Sequence, residues 1–356
     1  MLSRRDLLAA SPLLLTPCGL LAANGVPSKR RPKGPGFDEF TPKSRRAIRR
    51  GTAWLLKTLG RKGAAGVDIG QPADIGCTSM VGLALMSQGN TPMEGKYYAR
   101  VRAIRQYLLK AVDNMPSDDI TSSTRTQLQN KIGRHAHSFF AALFLSQVIG
   151  EGDDPGLIQK RLSKLSGVIV KQQSSRGDWG NSSWAPTLGT VMGWVCLRAC
   201  HFAGFRVEAS AKKTAEHLKQ VMQGRIGARR SSGWMHTLYK NATGVRVLYA
   251  MGEEKSAIAT KAFTDVLSFV KRDHTPFSQA GGEEYLAFQL ITDTMLQKGG
   301  EGWKQWFPVV RDKICAVQNA DGSWQGKHCI TSRTFCTAAA LMVLTSPNRY
   351  LPIAQQ

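Results

Sequence analysis

Titratable and aromatic side chains recur at the starts of the apolar segments of this sequence. The residues that share this placement are Asp74, Cys77, His135, His137, Trp184, His236, Tyr239, Glu283, Glu284, Tyr285 and Arg333. Backbone N–H groups at helix starts attract anions, and aromatic rings suit apolar ligands. If the segments are parallel helices, we expect these side chains to form one polar, aromatic rim that contacts a ligand. The alternative is that they cap helices and join helical hairpins.

A subset of these residues could hold a metal ion. Asp74 and Cys77 lie in one segment, and His328 could join them from the last loop, beside Cys329. Carboxylate, thiolate and imidazole donors with an open position suit zinc. Each residue also has an ordinary structural role, Asp74 as a helix cap and Cys77 as a core residue. We therefore favour no cofactor and keep zinc as the alternative.

Two kinds of segment alternate along the chain and would position these residues. The first kind is amphipathic and basic, with apolar residues at three- and four-residue spacing. It comprises Ser44–Leu59, Gly95–Val112, Gly156–Gln172, Ala209–Met222, Glu254–Lys271 and Glu301–Val317. The second kind is apolar on nearly all sides and must be surrounded by protein. It comprises His137–Ile149, Thr190–Phe202, Glu283–Met295 and Thr334–Leu344, with shorter versions at Cys77–Met86 and Ala242–Met251.

This alternation predicts an all-α fold, a double-walled (α/α)6 barrel with basic helices outside and apolar helices inside. The apolar helices begin about every 45 to 60 residues, which is a repeat period. A linear helical solenoid would give a similar pattern. Residues 115–133 are polar and are predicted to be the longest interior loop, either a lid over the ring or a plain connection.

Two segments share the pattern Gln-x3-Gly-x-Trp, and each ends an amphipathic helix and precedes an apolar one. Their residues are Gln173, Gly177 and Trp179, and Gln318, Gly322 and Trp324. The glycine permits a left-handed turn, the tryptophan buries a large ring, and the glutamine can bind loose helix-end groups. The pattern resembles the QW motif of the squalene-cyclase and prenyltransferase β-subunit repeat family. Residues 333–353 resemble the closing repeat of exported bacterial members of that family.

The resemblance covers about residues 43 to 353 and implies an α/α toroid with a central cavity, often used for isoprenoids. Polyene cyclases of the family protonate their substrate with an Asp-x-Asp-Asp motif, which this sequence lacks, as it lacks a magnesium-binding DDxxD. Asp118-Asp119 does not fit, and Glu151-Gly-Asp153-Asp154 lies in a turn where it is predicted to cap a helix. The family's Asp-x-Cys zinc set also differs in spacing from Asp74 and Cys77. The resemblance therefore implies the fold without implying the chemistry.

The first 25 residues are predicted to be a signal peptide. Ser3-Arg4-Arg5-Asp6-Leu7-Leu8 is typical of twin-arginine export, with ordinary secretion and lipidation at Cys18 as alternatives. Residues 26–42 are predicted to be a flexible basic linker, and residues 43–356 the toroid. We expect an exported protein, periplasmic or secreted. With only 7 cysteines in 356 residues, a disulfide scaffold is excluded.

The chain is strongly basic, with 48 Lys and Arg against 25 Asp and Glu and a net charge of +23. Such a charge attracts anions. Because the basic residues are spread over many helices and no nucleic-acid-binding motif is present, we expect no nucleic-acid partner. We expect a solvated basic surface, with contact to an anionic membrane surface as the alternative.

Structural repeats without acid or diphosphate motifs favour binding over catalysis. We expect an exported toroid that binds a hydrophobic, isoprenoid-like ligand or a protein partner. One alternative is a divergent terpene cyclase or prenyltransferase-like enzyme that uses the residues of the zinc hypothesis. The other is a structural interaction module whose ring is filled by its own side chains. A ring packed solid would support that module and argue against both ligand hypotheses. The residues expected to fill it are Phe139, Phe140, Trp194 and Phe288.

Overall fold

The computed structural model describes residues 38–115, 125–151, 155–180, 183–225, 234–272 and 275–355. The regular secondary structure of these residues is helical, apart from two isolated β-bridges. The helices are α1 (Pro42–Lys57), α2 (Ile75–Met86), α3 (Tyr98–Asp113), α4 (Gln127–Lys131), α5 (Ala136–Gln147), α6 (Pro155–Lys171), α7 (Pro186–Phe202), α8 (Glu208–Met222), α9 (Trp234–Ala250), α10 (Ala257–Arg272), α11 (Thr275–Gln279), α12 (Gly282–Lys298), α13 (Gly300–Ala316) and α14 (Arg333–Thr345). Two 3-10 turns follow, Ser346–Asn348 and Pro352–Gln355. The all-α prediction is confirmed. The predicted signal peptide and most of the predicted linker lie outside the described residues.

Six helices form the inner wall of a closed ring. Helices α2, α5, α7, α9, α12 and α14 contact one another in that order, and α14 returns to contact α2. An outer helix packs on each inner one: α3 on α2, α6 on α5, α8 on α7, α10 on α9, α13 on α12 and α1 on α14. The chain is therefore an (α/α)6 toroid, and the contact between α14 and α2 excludes the open solenoid.

The two walls follow from the two kinds of segment. Every residue of α5 is buried, and so is every residue of α2 except Ile75, as their apolar composition requires. In α1, by contrast, Trp54 and Leu55 are buried while Arg45 and Arg46 are exposed. Burying a side chain the size of leucine contributes about 1.5–3 kcal/mol, so the inner wall supplies most of the stabilising burial. Among the described helices, none is long and apolar enough to cross a membrane.

Two elements differ from the predictions. Helix α9 begins at Trp234, ahead of the apolar stretch Ala242–Met251 and four residues before the start expected near residue 238. Leu238 and Tyr239 are buried at helical spacing from Ala242, so they belong to the same inner helix. Part of the predicted loop 115–133 is the short helix α4, where Thr126 and Gln129 form a reciprocal capping box. Residues 116–124 of that loop, with Asp118-Asp119, lie outside the described residues. So do Gly152, Asp153 and Asp154, the predicted cap of α6.

The centre of the ring holds side chains rather than open space. The cavity there has a volume of about 10 Å³, roughly the room for one water molecule. All six inner helices contribute to its wall, through Met80, Phe140, Met192, Arg246, Leu290 and Met342. The residues expected to fill the ring are at most 2% exposed: Phe139, Phe140, Trp194 and Phe288. The central cavity implied by the family resemblance is therefore closed in this structure, because long side chains from facing helices meet across the ring.

The first Gln-x3-Gly-x-Trp segment joins α6 to α8. The amide nitrogen of Gln173 donates to the carbonyl oxygen of Ser210 at 3.0 Å and to the hydroxyl of Thr214 at 2.6 Å, both on α8. The indole N–H of Trp179 donates back to the carbonyl oxygen of Ile169 on α6 at 2.9 Å. This segment therefore ties one outer helix to the next.

The second segment makes the equivalent contacts between the last and first outer helices. The side-chain amide of Gln318 donates to the carbonyl oxygen of Ala47 on α1 at 2.9 Å. The indole N–H of Trp324 donates to the carbonyl oxygen of Ile314 on α13 at 2.8 Å. Gly322 has φ of 97°, and a Cβ there would lie 2.8 Å from the carbonyl oxygen of Arg50. Only glycine fits this left-handed turn against α1, so the segment helps to close the ring.

Candidate functional site

A cluster of charged side chains lies at the N-terminal mouth, the end of the ring where the inner helices begin. Its centre is Glu283, in the first turn of α12 and fully buried. One carboxylate oxygen of Glu283 lies 3.1 Å from Nζ of Lys131 and 3.3 Å from Nδ1 of His328. The other accepts a hydrogen bond of 3.2 Å from the backbone N–H of Ile330. Lys131 comes from α4 and His328 from the loop before α14, so three elements meet here.

Glu284, the neighbour of Glu283 on α12, is also fully buried. It accepts hydrogen bonds from the hydroxyl of Tyr239 and from the backbone N–H of Gly281, and one of its oxygens lies 3.4 Å from Nε2 of His328. Burial and the nearby charge of Glu283 raise the pKa of Glu284 to about 8. Glu284 is therefore a protonated carboxyl over most of the neutral range.

This raised pKa predicts a pH dependence of stability. The ordinary pKa of glutamate here is 4.5, so between about pH 4.5 and 8 the folded chain keeps a proton on Glu284 that the unfolded chain has lost. Stability must then fall as pH rises through that window. We expect the urea midpoint to decrease from pH 5 to pH 8, and Glu284→Gln, which imitates the protonated carboxyl, to remove the decrease above pH 6.

A second buried carboxyl provides the matched control for this measurement. Burial raises the pKa of Asp293 on α12 from 3.8 to about 6, although Arg246 opposes the shift. Asp293→Asn should therefore make the decrease below pH 6 shallower, because only the contribution of Glu284 remains there, and leave the decrease between pH 6 and 8 in place. An unchanged slope above pH 6 in Glu284→Gln would contradict the assignment.

The same mouth contains a set of possible metal ligands, Glu283, His328 and Cys329, with donor atoms within 4.8 Å of one another. Lys131 already supplies the cation there, because its Nζ lies 3.1 Å from Glu283 and 3.4 Å from Sγ of Cys329. Burial alone would lower the pKa of Lys131. The nearby charge of Glu283 outweighs this effect, so the pKa of Lys131 is raised. Burial and Glu283 also raise the pKa of Cys329, which disfavours the thiolate that zinc requires. In this arrangement the residues fit an ammonium group rather than a metal ion.

The original zinc hypothesis grouped His328 with Asp74 and Cys77, and the structure arranges these residues differently. His328 faces Glu283 and Glu284, whereas Oδ2 of Asp74 lies 3.3 Å from Nε2 of His137. Asp74 also caps α2 by accepting a 2.7 Å hydrogen bond from the N–H of Cys77. The pKa of Asp74 is lowered, because these hydrogen bonds outweigh its burial.

Cys77 is a buried thiol of this second cluster. Its Sγ lies 3.4 Å from the hydroxyl of Ser332, which caps α14. Burial, with the charge of Asp74, raises the pKa of Cys77 well above its ordinary value. Cys77 is therefore a core residue that joins α2 to α14. The hydroxyl of Thr126, at the start of α4, lies 3.2 Å from Nε2 of His137 and so links α4 to the same cluster.

The other predicted rim residues have different environments. Tyr285 is buried edge-on against Phe288, with ring centroids 6.2 Å apart, and His135 lies 6.3 Å from the ring of Phe139. Trp184 is 61% exposed. The side chain of His236 lies outside the described residues.

Arg333 is held at the rim by polar partners. It binds the carboxylate of Asp321, lies 3.4 Å from Asp68 and stacks 4.8 Å from the ring centroid of Trp54. Its contacts join the last loop to α1, so it acts in the structure as a link between repeats.

Three buried charged residues, Lys131, Arg246 and Asp293, were not expected from the sequence. Lys131 lies on the short helix α4, within a segment expected to be a loop. Arg246 and Asp293 lie near the other end of the ring, both at most 7% exposed. A signal for that pair was available, since a charge inside an apolar helix requires a buried partner.

A comparison with models of known protein families gave no match, and neither did a comparison with curated protein sequences. Among solved structures, the chain is similar to the type II terpene cyclase MstE from Scytonema in its apo form, with a TM-score of 0.52 and 13% sequence identity. The match covers 87% of this chain and 100% of the other. At that identity the likeness is one of fold alone. The protein therefore has the terpenoid cyclase-like α/α toroid fold.

Proposed function

We propose that this protein is an exported, non-catalytic toroid that binds a hydrophobic, isoprenoid-like molecule. The observation that argues against cyclase chemistry is that both carboxyl groups at the N-terminal mouth are already bound, Glu283 by Lys131 and the backbone of Ile330 and Glu284 by Tyr239 and the backbone of Gly281. Protonating an alkene needs a strong acid facing the substrate. Glu284, with a pKa of about 8, is a weak acid, and its oxygens are already bound by Tyr239 and Gly281.

The inner wall supports a hydrophobic ligand. The side chains around the central cavity are mainly Met, Leu, Val and Phe from five of the inner helices, while α9 contributes Arg246 and α12 adds Gln289 and Asp293. A ligand that displaced the apolar side chains would meet a mainly apolar surface with these three polar groups in it. The binding energy would come from burial of the ligand's own apolar surface. Export is supported by the twin-arginine-like segment at Arg4 and Arg5.

A second candidate function is that of an interaction module. The filled centre, with its cavity volume of about 10 Å³, favours this candidate over ligand binding, since a ring packed in this way needs no ligand for stability. The ligand-binding proposal therefore requires that side chains inside the ring move aside when the ligand binds. Its partner would be a protein that binds the outer surface of the ring.

Mass spectrometry of the purified chain, expressed from about residue 26, distinguishes the two candidates. We expect an organic extract to contain a hydrophobic compound absent from a mock purification, and metal analysis to give no stoichiometric metal. A clean extract would favour the interaction module. Stoichiometric zinc would overturn both candidates and favour a prenyltransferase-like enzyme.

A further inference from the structure

The outer wall of the ring is unevenly charged. Helices α1, α3 and α6 pack on α14, α2 and α5, which follow one another around the ring, so these three outer helices share one half of the wall. Helix α1 carries six Lys and Arg, and α3 and α6 carry four each, against one acidic residue, Asp113. On the other half, α8, α10 and α13 carry three each, against five acidic residues in all. We name the half formed by α1, α3 and α6 the basic wall.

Most of the positive charge of the basic wall faces solvent, since eleven of its Lys and Arg side chains are exposed. Asp113 pairs with Arg161, at 2.7 Å. Arg50 donates to the backbone carbonyl oxygens of Asn319 and Ala320, which carry no charge to offset its own. A protein with an uneven distribution of charge is oriented by the field of a charged partner. The basic wall is therefore the side of the ring that turns toward a large anionic partner.

Exposed apolar side chains adjoin the basic wall at the turn between α2 and α3. Met93 and Tyr98 are 44% and 43% exposed, and both contact Arg102, whose guanidinium lies 3.8 Å from Sδ of Met93 and 5.4 Å from the ring centroid of Tyr98. Tyr350, 58% exposed, reaches the same turn from beyond α14, because a Cβ on Gly89 would lie 3.1 Å from its ring. Three of the six large apolar side chains exposed in the described part of the chain thus lie at one turn, which is a cluster rather than a scatter.

Charged side chains surround this apolar cluster, and most of them are cations. Lys96 and Arg100 are exposed at the start of α3, and Arg349 is exposed next to Tyr350, whereas Glu94 is an exposed acid of the same turn. Tyrosine suits a membrane–water interface, because its ring is apolar while its hydroxyl stays hydrated. An exposed methionine has no hydrogen bond or stacking to offer a nucleic acid, but it gains by burial at the edge of the acyl chains. Apolar side chains among cations therefore suit an anionic bilayer.

On these observations we propose that the basic wall, with the turn between α2 and α3 at its edge, binds the surface of an anionic phospholipid bilayer. Met93, Tyr98 and Tyr350 enter the head-group region, and Lys96 and Arg100 bind lipid phosphates beside them. The other cations of the basic wall strengthen the attraction at longer range. This face lies on the outside of the ring, so the proposal goes beyond the proposed function and does not require the ring to open.

Sedimentation with phosphatidylcholine vesicles that contain about 30% phosphatidylglycerol tests the proposal on the chain from about residue 26. We expect binding to these vesicles, and at least about tenfold weaker binding to pure phosphatidylcholine. Lys96→Gln/Arg100→Gln should weaken binding to the anionic vesicles at least about tenfold. The matched control, Lys212→Gln/Lys213→Gln, removes the same charge from exposed positions on α8 and should weaken it less than about threefold. Every variant keeps the basic linker, so the difference reports on the folded face.

A second variant separates insertion from charge. Met93→Ser/Tyr350→Ser keeps every charge and changes only exposed side chains, so it should fold normally and still bind the anionic vesicles at least about tenfold more weakly. Equal losses in the two glutamine variants would overturn the assignment to this face. Binding of heparin or an oligonucleotide through Lys96 and Arg100, without binding of vesicles, would overturn the bilayer in favour of a soluble polyanion. None of these results alters the extraction experiment, so the proposed function is tested separately.

Discussion

Replacing Trp324 with alanine is expected to lower the free energy of unfolding by about 3–5 kcal/mol, as for other large buried aromatic side chains. The indole is fully buried and donates to Ile314 at 2.8 Å. Its ring also packs so closely on α1 that a Cβ added to Gly51 would lie 2.6 Å from it. The substitution therefore removes a hydrogen bond and leaves a cavity where the last repeat meets the first. Urea unfolding followed by circular dichroism measures the loss.

Trp184 is the matched control for this substitution, since it is 61% exposed. We expect Trp184→Ala to change the free energy of unfolding by no more than about 0.5 kcal/mol. If Trp324→Ala cost less than about 1 kcal/mol under the same conditions, Trp324 would not be a main contact between the repeats.

Replacing Lys131 with methionine is expected to cost about 3–5 kcal/mol at pH 7.5, because it leaves the buried carboxylate of Glu283 without its ammonium partner. Lys131 is 7% and Glu283 0% exposed, and their charged atoms are 3.1 Å apart. Methionine keeps most of the length and the apolar stem of lysine, so the loss reports mainly on the charge. Chemical denaturation of both proteins gives the difference.

A double variant shows whether the loss comes from the ion pair. Lys131→Met/Glu283→Gln removes both charges and should recover much of the stability lost in Lys131→Met. Lys304, which is 49% exposed and lies 2.8 Å from Glu301, supplies the surface control, and Lys304→Met should change stability by less than about 1 kcal/mol. A double variant no more stable than Lys131→Met would contradict the pairing.

Hydrophobic patterning was sufficient to predict the walls of the ring. The apolar segments around Cys77, Phe140 and Phe288 form inner helices because they have no polar face that could be exposed to water. The amphipathic basic segments form the outer helices that cover them. Ring closure was expected from the six repeat units and from the family resemblance, which implies a toroid. The bond from Gln318 to Ala47 on α1, which helps to close the ring, is known only from the structure. The walls depend on hydrophobic periodicity, which a single sequence carries.

The candidate site was predictable only in part. Glu283, Glu284 and Tyr239 were expected at one mouth because they begin inner helices. Their partner Lys131 was not, since α4 is a five-residue helix without a hydrophobic period. His328 was assigned to the wrong carboxylate because loop residues carry no periodic signal that fixes their neighbours. The filled centre likewise depends on the summed side-chain volumes of six helices, which no local pattern expresses.

The contact between the last and first outer helices has a consequence for how the chain folds. Gln318 and Ala47 are bonded although they are 271 positions apart in sequence. Contacts of such long range form late and slow a folding reaction, because the entropy of closing the intervening chain must be overcome first. During synthesis α1 would emerge long before α13 and α14, its final neighbours, are made. Its apolar face, with Trp54 and Leu55, is then a natural target for chaperones until the sixth repeat arrives.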